Sequence, residues 1–177
     1  MNLTKYSHSF STKNKLIRVL WGITYLFLFK PFPTRLFKNW RILILKLFGA
    51  NIDWTSHVYS STKIWAPWNL QMGSYSTLGP DVDCYNQGKI KIGSNTVISQ
   101  KTYLCASTHD YLRIDFPLIL KPIIIGNGVW VAADAFIGPG VLISNNVIVA
   151  AKSVVVKNVE ENCIIGGNPA KLIKMRY

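Results

Sequence analysis

The feature that most constrains this chain is a six-residue beat. From Ile125 onward an aliphatic side chain falls on every sixth position: Ile125, Val131, Ile137, Ile143, Val149 and Val155. Four residues after each stands a small or β-branched one: Val129, Ala135, Val141, Val147, Ser153 and Val159. Three earlier triplets keep the beat: Ile52, Val58, Ile64; then Met72, Leu78, Cys84; then Ile92, Ile98, Leu104. The phase slips by two residues after Ile64 and again after Cys84, and fifteen extra residues separate Leu104 from Ile125. A period of six matches neither the 3.6 of a helix nor the simple alternation of a strand. It matches a short strand followed by a tight turn, repeated so that each aliphatic residue packs against those of the coils above and below. β-Branched residues suit the strands, and Gly, Asn and Ser suit the corners. A β-sandwich would set turn signals 8–12 residues apart, wider than observed. The expected fold is all-β: a parallel solenoid of about five coils built from fifteen hexads.

Three segments are expected. Residues 1–50 form a basic, aromatic-rich helical segment, with helices near 13–29 and 34–48 separated by Pro31 and Pro33. Residues 51–165 form the solenoid, with a protruding loop at 109–123. Residues 166–177 form a C-terminal cap, in which Pro169–Lys174 reads as a short helix with Pro in its first turn.

Charge is concentrated at one end. The formal net charge is +12, yet residues 1–50 hold nine Lys or Arg and no Asp or Glu, whereas residues 51–177 balance to +3. Cations on one face and Trp, Phe and Leu on the other suit a helix lying in a membrane interface, so contact of 13–48 with an anionic membrane is expected beside the plainer reading that these helices cap the first coil or pack in an oligomer. No nucleic-acid motif accompanies the charge. The apolar run Val19–Phe29 is too short to span a bilayer and lacks the flanks of a signal peptide. Three cysteines, Cys84, Cys105 and Cys163, without CxxC spacing, point to a reducing, cytoplasmic setting.

Gly128–Val141, Ala150–Lys157 and Gly167–Lys171 together resemble the C-terminal signature of the hexapeptide-repeat acyltransferases. Ile64–Asn69, Ile98–Gln100, Tyr103–Cys105, and Ser107–Tyr111 followed by Phe116–Leu118 are similar to the acetyltransferases of colanic-acid and other exopolysaccharide clusters. Maltose, galactoside and nodulation-factor acetyltransferases are more distant relatives. The resemblance spans about residues 17–177. It implies a left-handed parallel β-helix, a homotrimer, acetyl-CoA as co-substrate with no metal, and O-acetylation of a glycan acceptor; the basic, aromatic N-terminus fits a lipid-linked glycan at the inner face of the membrane. Acetylation of a small free acceptor, or a non-catalytic scaffold, are the alternatives. A zinc enzyme on the same coil would need three converging histidines, and of His8, His57 and His109 only His109 stands in a plausible place.

Transfer of an acetyl group to a hydroxyl needs a base, and histidine suits this near neutral pH. His109 falls where the hexad register breaks, a place where a rigid scaffold commonly carries catalytic groups, and the resemblance puts the family's catalytic histidine there. Asp110 is a doubtful orienter, since neighbours in an extended segment point opposite ways; a backbone carbonyl is the alternative. Asn86 reads either as an acceptor or oxyanion ligand or as a corner residue. Asp83, Tyr85 and Tyr111 are further acceptor candidates. By the family's pattern, Trp130, Ala133, Ala151, Val156, Lys157, Lys171 and Lys174 occupy coenzyme A contact positions. The lysines would serve as point charges for phosphate.

Overall fold

The structure, a computed structural model, describes residues 10–177; His8 and Lys5 lie outside them. Helix α1 (Thr12–Thr24) starts at Ser11, whose Oγ accepts from the Asn14 amide at 3.2 Å, and runs on as a π-helical turn over Tyr25–Phe29. A 3-10 turn, Arg35–Phe37, leads into helix α2 (Lys38–Leu47), close to the bounds the sequence suggests.

From Asn51 the chain winds through five complete coils and part of a sixth, each of three short strands, forming three parallel sheets along a prism. The first sheet stacks Asn51–Ile52, Leu70–Met72, Ile90–Ile92, Ile123–Ile125 and Leu142–Ile143. The second stacks His57–Val58, Thr77–Leu78, Val97–Ile98, Trp130–Val131, Ile148–Val149 and Cys163–Gly167. The third stacks Lys63–Ile64, Asp83–Tyr85, Tyr103–Cys105, Phe136–Ile137 and Val154–Val155. All fifteen hexad residues point inward, none more than 5 % exposed. A hydroxyl ladder runs beside them: Ser76 Oγ donates to the Gly93 carbonyl at 2.6 Å and Thr96 Oγ1 to that of Gly126 at 2.8 Å.

Corner residues adopt left-handed backbone not only at Asn95, Asn146 and Asn162 but also at Tyr75, Asp81, Lys101, Asp134 and Lys152. These are held by stacking between coils, as when the Lys152 amide donates to the Ala133 carbonyl at 2.9 Å; the lattice of amide bonds overrides the residue's own preference. Gly93 serves another need. A Cβ there would lie 2.5 Å from Asn127 Oδ1 and 2.6 Å from the Gly126 carbonyl, so only glycine fits.

The C-terminal segment corrects an expectation. Ala170–Met175 is not a helix but a strand, antiparallel to Cys163–Gly167 and added to the second sheet. A six-residue helix is too short to stand unsupported, whereas this segment finds an open strand edge already formed by the last coil. The excursion at 109–123 is likewise more ordered than a loop: Ser107–His109 and Leu118–Leu120 pair as a two-stranded antiparallel ribbon, and Ile123 already belongs to the next coil.

Candidate active site

The two phase slips and the insertion all occur where the chain turns from the third sheet into the first, so they stack at one corner of the prism. In the first coil the turn is a 3-10 segment, Pro67–Asn69. Asn69 Nδ2 donates to the carbonyls of Asn86 and Gln87, at 3.2 and 2.7 Å, tying it to the second coil. Gly88 lets the third coil come close, since a Cβ there would stand 2.5 Å from the Ala106 carbonyl. The ribbon rises from that shelf, with the Lys121 amide closing its base on the Ala106 carbonyl at 3.0 Å.

His109 ends the first ribbon strand, opposite Leu118. Its Nδ1 lies 2.9 Å from the Phe116 carbonyl. A carbonyl only accepts, so Nδ1 carries the hydrogen and the imidazole lone pair sits at Nε2. The Phe116 ring stacks on the imidazole, centroids 4.4 Å apart and planes 5° from parallel. Phe116 holds φ at +48°, which turns its carbonyl and its ring onto the same histidine. Asp110 does something else: its Oδ1 accepts from the Leu112 amide at 3.1 Å, and its own amide donates to the Pro117 carbonyl at 3.0 Å. It shapes the tip, which an Arg113–Asp115 ion pair of 2.7 Å also braces. Tyr111 stands exposed on that tip.

Asn86 is fully buried, and both ends of its amide are used by one residue: Oδ1 accepts from the Ala66 amide at 3.0 Å and Nδ2 donates to the Ala66 carbonyl at 2.6 Å. It bridges two coils where the shelf interrupts the ladder. Asp83 and Tyr85 sit on the outer face of the third sheet. Burial pushes the Asp83 carboxyl up, with Lys63 opposing. Tyr85 Oη accepts from Gln87 Nε2 at 2.7 Å.

The coenzyme A candidates fall into two groups. Trp130 is on the second sheet, its Nε1 donating to Ser99 Oγ at 3.0 Å. Ala133 and Ala151 occupy the corner between the second and third sheets in successive coils. Lys174 faces Ile164 in the strand that extends the second sheet. Val156, Lys157 and Lys171 instead line a cavity of about 500 Å³ at the end of the prism, floored by Val155, Val159 and Ile165.

No protein-family model matches the chain. The backbone superposes on a hexapeptide-repeat acetyltransferase of Vibrio cholerae O1 biovar eltor, solved with acetyl coenzyme A, with a TM-score of 0.83 at 24 % identity, covering 97 % of this chain and 93 % of that one. The sequence is 41 % identical over 157 residues to WcaF of Escherichia coli (strain K12), a protein named for acetyl transfer in colanic acid biosynthesis, covering 89 % of this chain and 86 % of that one. The chain belongs to the hexapeptide-repeat acetyltransferases. A second relative, the galactoside O-acetyltransferase of the same organism, is 30 % identical over 122 residues, 67 % of this chain and 54 % of that one.

In this acetyltransferase the third sheet carries a feature that reading by hexads misses. Trp65, Tyr85, Tyr103 and Phe136 form a strip on its outer face, successive ring centroids 6.4, 6.1 and 5.6 Å apart. Only Trp65 and Tyr85 stand twenty residues apart in the sequence; Tyr103 and Phe136 join the strip through the strand pairings Asp83↔Tyr103 and Tyr103↔Phe136, which the hexad spacing does not show.

Proposed function

We propose that this acetyltransferase moves the acetyl group of acetyl-CoA to a sugar hydroxyl of a polysaccharide or lipid-linked glycan, with His109 as general base. The observation that carries this reading is the Nδ1–H bond from His109 to the Phe116 carbonyl. It fixes the tautomer whose Nε2 accepts a proton and holds the ring at a set angle. As the sugar oxygen forms its bond to the thioester carbon, its proton passes to Nε2. The tetrahedral adduct then collapses, the C–S bond breaks, and the imidazolium returns the proton to the departing coenzyme A thiolate. Asp83, Tyr85 and Tyr111 are the polar groups proposed to meet the acceptor, and the aromatic strip offers ring faces to sugar C–H bonds. Trp130, Ala133, Ala151, Val156, Lys157, Lys171 and Lys174 are proposed to line the coenzyme path. Their division between two sides of the prism fits a homotrimer, in which one path is built from two subunits.

The acceptor class is supported by the names of WcaF and the galactoside enzyme. The expected test is thiol release from acetyl-CoA with glycan, amino-acid and drug acceptors in parallel. His109→Ala should reduce turnover on the glycan by about 10²–10⁴-fold; full turnover in that variant rejects the mechanism, and turnover only on free small acceptors rejects the glycan assignment.

The proposed place of action is the cytoplasmic membrane surface, reached through α1. Among the described residues no helix is long and apolar enough to cross a membrane. Yet α1 and the π-turn after it carry two opposed apolar stripes. Trp21, Tyr25 and Phe29 pack on the prism, while Leu16, Val19, Leu20, Ile23, Leu26 and Phe27 face outward, each more than half exposed. Lys13, Lys15 and Lys30 flank the outer stripe, and the segment has no acidic residue. Such a surface suits anionic lipid, with about 1 kcal/mol for each cation near it. Co-sedimentation with phosphatidylserine vesicles at low salt, lost in Ile23→Glu, is the expected result; absence of binding at low salt rejects it.

A further inference from the structure

His57 is the described histidine that acetyl transfer does not use, and its surroundings are unusual. It lies on the first coil's second-sheet strand, half-buried, with its ring edge-on to Tyr59 at 4.6 Å. With Arg35, Lys38, Tyr59 and Thr77 it lines a cavity of about 270 Å³ that contains no carboxylate. Behind it Arg41 is fully buried. Arg41 Nε donates to the Val58 carbonyl at 2.8 Å, and Nη1 donates to the carbonyls of Phe32 and Thr34, which staples the turn before α2 onto the first coil. Its Nη2 is buried without a partner.

Three full cations therefore surround one imidazole. Among the described residues the only ion pair is Arg113–Asp115, at the far tip of the ribbon. Asp53 feels Lys38 weakly, but its carboxylate is taken by the amide and hydroxyl of Thr55, at 2.9 and 2.5 Å. A concentration of like charge, one member of it fully buried, is unfavourable unless an anion balances it. Phosphate is the anion whose shape fits these donors: a guanidinium and an ammonium for its charge, and two hydroxyls and an imidazole N–H for its oxygens.

We infer that this cavity binds a phosphate group, held by Arg35 and Lys38 and closed by His57, Tyr59 and Thr77. The inference is independent of the acetyl-transfer site. In support, burial and then Arg41, Arg35 and Lys38 hold the His57 imidazolium below its ordinary range, which a bound anion would reverse.

The test follows His57 by NMR in the full-length protein, its resonance assigned with His57→Gln, during titration with inorganic pyrophosphate at constant ionic strength. Arg35, Lys38, Arg41 and Tyr59 are the charged or titratable groups facing that ring. A saturable shift and a raised His57 titration midpoint are expected, with binding about tenfold weaker in Lys38→Gln and in Arg35→Gln, the size of one charge-assisted hydrogen bond. Both positions are outside the core and each variant relieves like-charge repulsion, so melting temperatures should not fall below the parent's and acetyl transfer to a soluble acceptor should be retained. Vesicles containing phosphatidic acid that compete with pyrophosphate assign the site to a lipid headgroup; pyrophosphate binding that such vesicles leave unchanged assigns it to a soluble phosphate. Either result supports the inference. No saturable shift, or a shift of undiminished affinity in both variants, overturns it.

Discussion

The orientation of His109 rests on two contacts from one residue, and they can be separated. Phe116→Ala keeps the backbone carbonyl that accepts from Nδ1 but removes the ring stacked at 4.4 Å. Such a stack contributes about 0.5–1.5 kcal/mol. If that energy acts only to hold the imidazole at its working angle, the fraction of correctly placed base falls by about two- to twelvefold. Alanine meets the same left-handed backbone that phenylalanine already tolerates at φ +48°, so the ribbon should keep its shape. The expected result is kcat reduced about two- to twelvefold, with an unchanged KM for acetyl-CoA and little change in melting temperature. Phe116→Tyr keeps the ring and should behave like the parent. Thiol release at saturating acceptor measures all three. A parental kcat in Phe116→Ala refutes the role of the stack. A loss as deep as that of His109→Ala refutes the separation of ring from carbonyl, because the ring would then be holding the whole ribbon in place.

Other parts of the molecule give sharper structural tests. Asn86→Leu orphans the buried Ala66 amide, while the Ala66 carbonyl keeps its bond from the Asn69 amide at 2.9 Å, and should cost about 1–3 kcal/mol in urea unfolding, with turnover per folded molecule retained; a collapse of kcat at undiminished stability would instead place Asn86 on the acceptor. Gly93→Ala brings a Cβ to 2.5 Å from Asn127 Oδ1 and 2.6 Å from the Gly126 carbonyl, so it should destabilise by about 1–3 kcal/mol, and a neutral result in the same unfolding assay would contradict the tight stacking at that corner. His57 is held below its ordinary value by burial and three cations, so the unfolded chain takes up its proton first. The stability that the neutral ring contributes is present above about pH 6.5 and is lost as pH falls through the lower folded value. His57→Gln should therefore flatten the acid side of a melting-temperature profile, and an identical slope would show that His57 is not strained in this way.

What could be read from the sequence follows from what repeats. The fifteen inward residues recur because every coil presents the same three faces to the same core, and the structure buries each of them. The helices near 13–29 and 34–48 were visible for a similar reason, since their composition and proline punctuation are local. Pro169–Lys174 departs from the expected helix because its conformation is set by a partner: the strand edge of Cys163–Gly167 is formed by chain that a six-residue window does not include. The orienter of His109 was hidden for a different reason. Every residue has a carbonyl, so nothing in the letter at 116 announces that its backbone will face an imidazole seven residues away. Asn86 offers both a donor and an acceptor, and the residue that meets both, Ala66, stands twenty positions earlier and becomes its neighbour only when the coils stack.

The placement of His109 nevertheless follows from the repeat. A coil must return to the register of the one beneath it, so extra residues cannot enter the sheets and must leave at a corner. Two extra residues in the first coil and two in the second leave at the corner between the third and first sheets, where Asn69, Asn86 and Gly88 bind them into a shelf. The fifteen extra residues of the third coil leave at the same corner and stand on that shelf as a paired ribbon. Had they left from a corner without the two shorter excursions beneath, the ribbon base would lack the close backbone contact at Gly88. His109 is thus positioned by a mismatch in coil length that is repeated on one edge until it can support an arm. Deleting the two-residue excess of the second coil should disturb His109 without touching it.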